Sequence, residues 1–146
     1  METIYIKRVK KSVTSKEYKK LMAFVRGDED IKPFNQKRFL KIFSLLYYSG
    51  LRVNEITQIK YSHIAEIIET SETIIISHKT KRERVLYFSD TSIKELKKYF
   101  IFEESELDNH CITSWGNPQK TFHEVSLIQL VNKYMKNILG DNFTSH

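Results

Sequence analysis

The stretch from Phe39 to Gly50 constrains the fold more than any other part of the sequence. After Phe39, large apolar side chains recur at the third, fourth, seventh and eighth positions, as Ile42, Phe43, Leu46 and Tyr47. This spacing places them on one face of an α-helix that has to be buried against other elements. Gly50 follows where a left-handed backbone conformation ends a helix at little cost for glycine. The pattern therefore predicts a buried helix that ends at Gly50.

Cap residues, apolar spacing and β-branched runs predict the other elements. In chain order they are a helix from the capping box Thr14–Glu17 to Gly27, the helix that ends at Gly50, a short helix near Val53–Ile59, strands Thr73–Ser77 and Arg84–Phe88, a helix after Ser89–Asp90, a turn at Trp115–Pro118, and a helix from about Ser126 to Gly140–Asp141. This order predicts an α+β fold that is mostly helical with a small antiparallel β-hairpin.

Length and composition bound the class of protein. A chain of 146 residues fits one domain with a core of its own. The single cysteine, Cys111, excludes an internal disulfide, and no Cys/His spacing suggests a zinc site. The charged N-terminus does not resemble a signal peptide, and no apolar run is long enough to span a membrane. These features indicate a cytoplasmic protein that has no metal site and no membrane partner.

The charge is unevenly distributed. Lys and Arg outnumber Asp and Glu by 24 to 18, a net charge of +6. Basic residues cluster at Lys7–Lys11 and Lys79–Arg84, and acidic residues at Glu103–Asp108. Segregation of this kind favours one face that binds a polyanion such as DNA, although a soluble basic domain without a nucleic-acid role has the same net charge.

Arg52 and Glu55 allow two interpretations. They stand three positions apart at the start of a predicted helix, so their side chains share a face. One interpretation is a surface ion pair that contributes less than about 1 kcal/mol. The other is that Glu55 orients Arg52, whose planar guanidinium binds two phosphate oxygens at once.

The predicted hairpin connection also allows two interpretations. It contains Lys79, Lys81 and Arg82, and Arg84 follows in the second strand. The first interpretation is a solvated basic turn that protects a sheet edge from aggregation. The second is a loop that enters a DNA groove, with its cations on the phosphate backbone and one lysine near the scissile phosphate.

Three segments together resemble the tyrosine recombinases of the phage integrase family. Leu45–Ile56, with Gly50-Leu51-Arg52-Val53-Asn54-Glu55 at its centre, resembles the first family signature. Ile74–Val85 is similar to the family hairpin that carries a lysine, and Asn142–His146 resembles the approach to the His-x-x-Arg motif. The order and separation of the three segments are typical of the family, and they extend from residue 45 to residue 146.

The resemblance implies a site and a reaction. Arg52, Lys79 and His146 correspond to catalytic positions, Glu55 to an orienting residue, and Lys81, Arg82 and Arg84 to DNA-binding positions. His78 and Thr80 stand where the family commonly has glycines, so Lys81 remains an alternative to Lys79. The implied fold is the DNA breaking-rejoining catalytic domain, in an incomplete form. The implied function is site-specific DNA recombination or integration, by cleavage and rejoining through a 3′-phosphotyrosine.

The resemblance also implies partners and boundaries. The partner is double-stranded DNA, joined by further recombinase protomers in a tetramer on paired sites, and the reaction needs no cofactor. A protein with this partner is located in the cytoplasm or with the DNA of its cell or organelle. Residues 1–13 are expected to be a basic lead-in or linker stub, and residues 14–146 the N-terminal majority of the catalytic domain.

The sequence departs from the family at the end of the chain. The second arginine and the nucleophilic tyrosine of the family would follow His146, and no tyrosine of the sequence lies in the nucleophile's place. We therefore expect these residues by themselves to bind DNA without cleaving it. The alternative is a non-catalytic DNA-binding regulator, or a remnant derived from a recombinase.

Overall fold

The computed structural model describes residues 13–77, 79–114, 117–121, 124–140 and 143, and these form a mostly helical domain with two small antiparallel sheets. The helices are α1 (Ser15–Gly27), α2 (Pro33–Ser49), α3 (Val53–Ile56), α4 (Tyr61–Thr70), α5 (Asp90–Tyr99) and α6 (Glu124–Leu139), with a 3₁₀ turn at Glu104–Glu106. The strands are β1 (Glu72–Ile76), β2 (Glu83–Tyr87), β3 (Thr113–Ser114) and β4 (Asn117–Thr121). The α+β prediction is confirmed.

Helix α2 lies at the centre of the domain. It packs against α1, α3 and α5, so it buries more of its circumference than the single stripe that the sequence predicted. Phe39, Ile42 and Phe43 are buried as expected, but Leu45 is fully buried while Tyr47 is only half-buried. The helix ends at Gly50, whose φ of +69° is the left-handed conformation predicted for it.

Helix α1 begins where the capping box predicts. The hydroxyl of Thr14 accepts the backbone N–H of Glu17 at 3.4 Å, which satisfies one of the free donors at the helix start. All four predicted apolar residues of this helix are buried, namely Tyr18, Leu21, Met22 and Val25. Helix α6 packs against α1 and α3, and its buried residues complete the core beside these two helices.

Strands β1 and β2 form the predicted hairpin, each beginning one residue earlier than expected. Ile74 pairs with Val85, and Ile75 pairs with Arg84. Side chains alternate along β1, so Thr73 and Ile75 point inward and Ile74 and Ile76 remain exposed. The inward side packs against α4.

Helix α4 and the β3–β4 pair were not predicted from the sequence. Helix α4 has Lys60 at its N-cap, where Ser, Thr, Asp or Asn usually mark a helix start. It ends at Ser71, whose φ of +67° is a conformation that usually marks a glycine or asparagine. In place of a hydroxyl cap, Nδ1 of His63 accepts the backbone N–H of Lys60 at 2.9 Å. Asn117 and Pro118 belong to β4 rather than to a turn, and Trp115 and Gly116 lie outside the described residues.

Helix α6 begins at Glu124, two residues before the predicted start, and ends before Gly140 as expected. None of the described helices is both long enough and apolar enough to cross a membrane.

Candidate functional site

The backbone at the start of α3 holds Arg52 outward. Ser49 accepts the N–H of Leu51 at 3.0 Å, and Arg52 has an extended conformation as the N-cap of α3. Its two neighbours, Leu51 and Val53, are buried, whereas Arg52 is exposed. Because both neighbours are buried, the side chain of Arg52 points away from the core and into solvent.

Glu55 is buried, with 1% of its surface exposed, and not on the surface as the simpler interpretation assumed. One carboxylate oxygen, Oε1, accepts the backbone N–H of Arg52 at 3.0 Å. The same oxygen pairs with Nη2 of Arg84 at 3.4 Å. Glu55 therefore holds the backbone of Arg52 and also ties α3 to β2.

A second connection joins α3 to the other strand of the hairpin. Gln58, in the turn after α3, donates from Nε2 to the carbonyl of Ile76 at 2.9 Å and accepts the N–H of Ile76 at Oε1 at 2.7 Å. Gln58 is not among the site residues predicted from the sequence, because its partner Ile76 lies 18 positions away and no local pattern links the two.

The connection between β1 and β2 is anchored at Ser77. The N–H of Ser77 donates to the carbonyl of Arg82 at 2.8 Å, and the N–H of Lys81 donates to the carbonyl of Ser77 at 2.9 Å. Lys81 has a φ of +59°, which is unfavourable for a side chain with a Cβ. The backbone of the loop is thus closed by hydrogen bonds at its base.

The four predicted cations of the hairpin separate into two groups. Lys79, Lys81 and Arg82 are exposed, and their side chains form no hydrogen bond or ion pair with any residue that the structure describes. Arg84 is partly buried and bound to Glu55. Arg84 therefore helps to attach the hairpin to α3, and its contact with DNA remains a prediction.

The third predicted catalytic residue, His146, lies outside the described residues, as do His78 and Asn142. The structure therefore brings together Arg52, Glu55 and the hairpin through the contacts of α3, and says nothing of His146. Within the described part of the chain, no group of three or more His, Cys, Asp or Glu side chains is placed to hold a metal ion.

A second polar region lies on the first half of α2. A cavity of about 180 Å³ is lined there by Arg38, Lys41 and Tyr61, among others. Nζ of Lys41 donates to the hydroxyl of Tyr61 at 2.6 Å, and burial lowers the pKa of Lys41 below its ordinary value. Burial likewise raises the pKa values of Tyr61 and Cys111 above their ordinary values, so both groups remain protonated near neutral pH.

The chemistry available differs between these two regions. Exposed guanidinium and ammonium groups on the α3–hairpin side are free to bind oxyanions from solution, and phosphate is the oxyanion that suits such groups best. On α2, Arg38 and Lys41 already have partners inside the protein, whereas Lys37 is a single exposed cation. The α3–hairpin side is therefore the candidate functional site.

Comparisons with known proteins concern the family and the fold of the chain. The sequence model of the Phage integrase family matches residues 11–146. No curated protein sequence matches the chain. The fold is similar to the crystal structure of XerA recombinase, with a TM-score of 0.57 and 20% sequence identity, over 90% of this chain and 43% of that one. At this identity the similarity shows the fold, and this chain spans less than half the length of that recombinase.

Proposed function

The chain belongs to the phage integrase family, and from that premise we propose that it is the part of a site-specific recombinase that binds double-stranded DNA and stabilises the scissile phosphate. In this proposal Arg52 binds the phosphate, Glu55 fixes Arg52, and Lys79 donates a proton to the leaving 5′-oxygen. Lys81 and Arg82 bind neighbouring phosphates.

The chemistry of strand exchange requires such residues. A tyrosine attacks a phosphodiester, a 3′-phosphotyrosine bond forms, and a 5′-hydroxyl leaves. Negative charge accumulates on the non-bridging oxygens of the phosphate during the attack, and cations held in place lower the energy of that state. An arginine suits the role because it stays charged and donates to two oxygens. A lysine suits protonation of the leaving oxygen because its ammonium can release a proton.

The observation that carries the proposal is the arrangement of exposed cations around a buried carboxylate. Glu55 neutralises Arg84 inside the protein, while Arg52, Lys79, Lys81 and Arg82 remain exposed. Two polar connections join the segment 55–58 to the hairpin, so the base of the loop that carries the hairpin cations is attached to the helix that follows Arg52. A solvated turn that only prevents aggregation does not need a buried attachment of this kind.

Salt-dependent binding of duplex DNA tests the proposal. Each phosphate contact that is lost lowers the slope of log Kd against log salt by about 0.9. We expect the triple substitution K79A/K81A/R82A to lower the slope by about 2 to 3 and to weaken binding roughly 10- to 100-fold at low salt. We expect Arg52→Ala to lower the slope by about 1.

Helix α1 provides a matched control. Lys16, Lys19 and Lys20 are also exposed, and K16A/K19A/K20A removes the same net charge from a helix that packs against α2 and α6. We expect that variant to bind DNA almost as tightly as the unsubstituted chain. Equal loss of affinity in the two triple variants would mean that only net charge matters, which contradicts a specific site on the hairpin.

A further inference from the structure

The side-chain amide of Gln58 acts on the hairpin as a neighbouring strand would. It donates one hydrogen bond to Ile76 and accepts one from the same residue, at 2.9 and 2.7 Å. A primary amide presents a donor and an acceptor side by side, as a backbone peptide does. Among the described strands β1 pairs only with β2, so its other edge has unpaired backbone groups. Gln58 satisfies both backbone groups of Ile76 at that edge.

Ile76 lies where a contact with Gln58 can affect the loop between β1 and β2. Ile76 is the last residue of β1, and the next residue, Ser77, closes the loop through its bonds with Lys81 and Arg82. Gln58 is therefore attached to the base of the loop that carries the three exposed cations. The Glu55–Arg84 pair holds β2, so each strand has its own connection to the segment 55–58.

We propose that Gln58 is a positioning residue, which holds the end of β1 so that Lys79, Lys81 and Arg82 keep a fixed position relative to Arg52. This inference rests on the proposed function. A loop whose base is fixed loses less conformational freedom when its cations bind phosphates, so more of their attraction appears as affinity. Without the amide of Gln58, β1 still packs against α4, but its last residue loses its polar attachment, and the base of the loop has to be ordered when DNA binds.

The substitution Gln58→Met tests the proposal, because it removes both hydrogen bonds and keeps a similar volume. Gln36→Met is the matched control, since Nε2 of Gln36 also binds two backbone carbonyls, those of Val25 and Arg26 at 3.1 and 2.8 Å, but joins α1 to α2. The first measurement is amide hydrogen exchange in the absence of DNA. We expect exchange at Ile76 to be at least about tenfold faster in Q58M and unchanged in Q36M.

The second measurement is a double-mutant cycle on duplex DNA binding. We expect Q58M alone to weaken binding about three- to tenfold, and Q36M to leave it unchanged. Removal of the loop cations in K79A/K81A/R82A should weaken binding roughly 10- to 100-fold in the unsubstituted chain but only about three- to tenfold in the Q58M background, because Q58M has already removed part of their contribution. This coupling between Gln58 and the loop cations is the readout that a general loss of stability does not produce.

The outcomes separate the two proposals. If the unsubstituted chain does not bind duplex DNA, the proposed function fails, and the role of Gln58 fails with it. If the chain binds DNA but the effects of Q58M and the loop substitutions multiply independently, only the positioning role is wrong. Unchanged exchange at Ile76 in Q58M also overturns the inference, because the amide then does not hold that residue.

Discussion

The connection between β1 and β2 and the first half of α2 beside Tyr61 both carry positively charged side chains, but these have different surroundings. In the hairpin connection, Lys79, Lys81 and Arg82 are exposed. On α2, Arg38 is 9% exposed and binds the carbonyl of Thr113 and the side chain of Asn35. These α2 contacts stabilise the fold, whereas the hairpin cations remain available to another molecule.

The comparison shows that charge alone does not identify a binding surface. Removing a cation from water is costly unless hydrogen bonds replace the lost solvation, so a buried cation such as Arg38 needs partners inside the protein. An exposed cation keeps its solvation and forms stronger contacts only with a polyanion. The partners of each side chain therefore decide its role, and substitutions at Glu55, Arg38 and His63 test this distinction.

The largest effect on stability is expected at Glu55, which binds the partly buried guanidinium of Arg84 and the backbone of the exposed Arg52. Glu55→Ala leaves the guanidinium of Arg84 and the backbone N–H of Arg52 without their shared acceptor. Loss of one partner of a buried ion pair costs several kcal/mol, and the partial exposure of Arg84 reduces that cost. We expect the free energy of unfolding to fall by about 3 kcal/mol in urea denaturation.

Two further variants show whether charge or the hydrogen bond matters at this position. Glu55→Gln keeps an oxygen for the N–H of Arg52 and loses the charge, so we expect a loss of about 1 to 2 kcal/mol. Glu66 is an exposed carboxylate on α4, and Glu66→Ala should change stability by less than about 0.5 kcal/mol. A cost at Glu55 as small as that at Glu66 would mean that the buried pair does not hold the hairpin.

Arg38→Met is expected to separate stability from DNA binding. The guanidinium donates to Thr113 at 3.2 Å and to Asn35 at 2.7 Å, and lies over the ring of Phe34 at 5.3 Å. The substitution leaves these acceptors without a donor, so we expect a loss of about 1 to 3 kcal/mol in urea denaturation. Affinity for DNA should change less than twofold at constant salt, unlike that of the hairpin variants.

A tenfold loss of DNA affinity in folded Arg38→Met would contradict the distinction between the two regions. It would place the first half of α2 in the DNA contact together with the hairpin. A folded state confirmed by circular dichroism at the assay temperature is needed for that conclusion, because partial unfolding also weakens binding.

Local patterns in the sequence predicted the elements whose ends carry standard signals. Thr14, Gly50 and Ser89 mark helix ends in the sequence and have that role in the structure. Helix α4 was missed because its ends are Lys60 and Ser71, neither of which is a usual cap. The β3–β4 pair was missed because Asn117 and Pro118 favour turns locally, while pairing with β3 decides their conformation.

The sequence predicted which cations belong to the candidate site, but not the contacts that join α3 to the hairpin. The segment Gly50–Glu55 and the basic hairpin identified the exposed cations through their family resemblance. The pairing of Glu55 with Arg84 spans 29 positions, and that of Gln58 with Ile76 spans 18. Contacts at such separations depend on how α3 packs against the hairpin, which periodicity and capping rules do not describe.

The smallest predicted effect concerns His63, a polar group that also has its partner inside the protein. Burial lowers the pKa of His63 below its ordinary value of 6.5, and Nδ1 can accept the N–H of Lys60 only while that nitrogen is unprotonated. Below pH 6.5 the unfolded chain therefore binds more protons at this residue than the folded chain does. The contribution of His63 to stability is accordingly intact above pH 6.5 and declines as the pH falls toward the lowered folded-state pKa.

His63→Gln isolates this contribution, because glutamine at the same helix position can accept the same N–H and does not titrate. We expect the unfolding free energy of the unsubstituted chain to fall relative to that of His63→Gln between pH 7 and pH 5 in urea denaturation. All other ionisable groups are common to both proteins, so the difference reports His63. A constant difference across this range would show that protonation of His63 does not disturb the start of α4, and that its hydrogen bond with Lys60 does not contribute to stability.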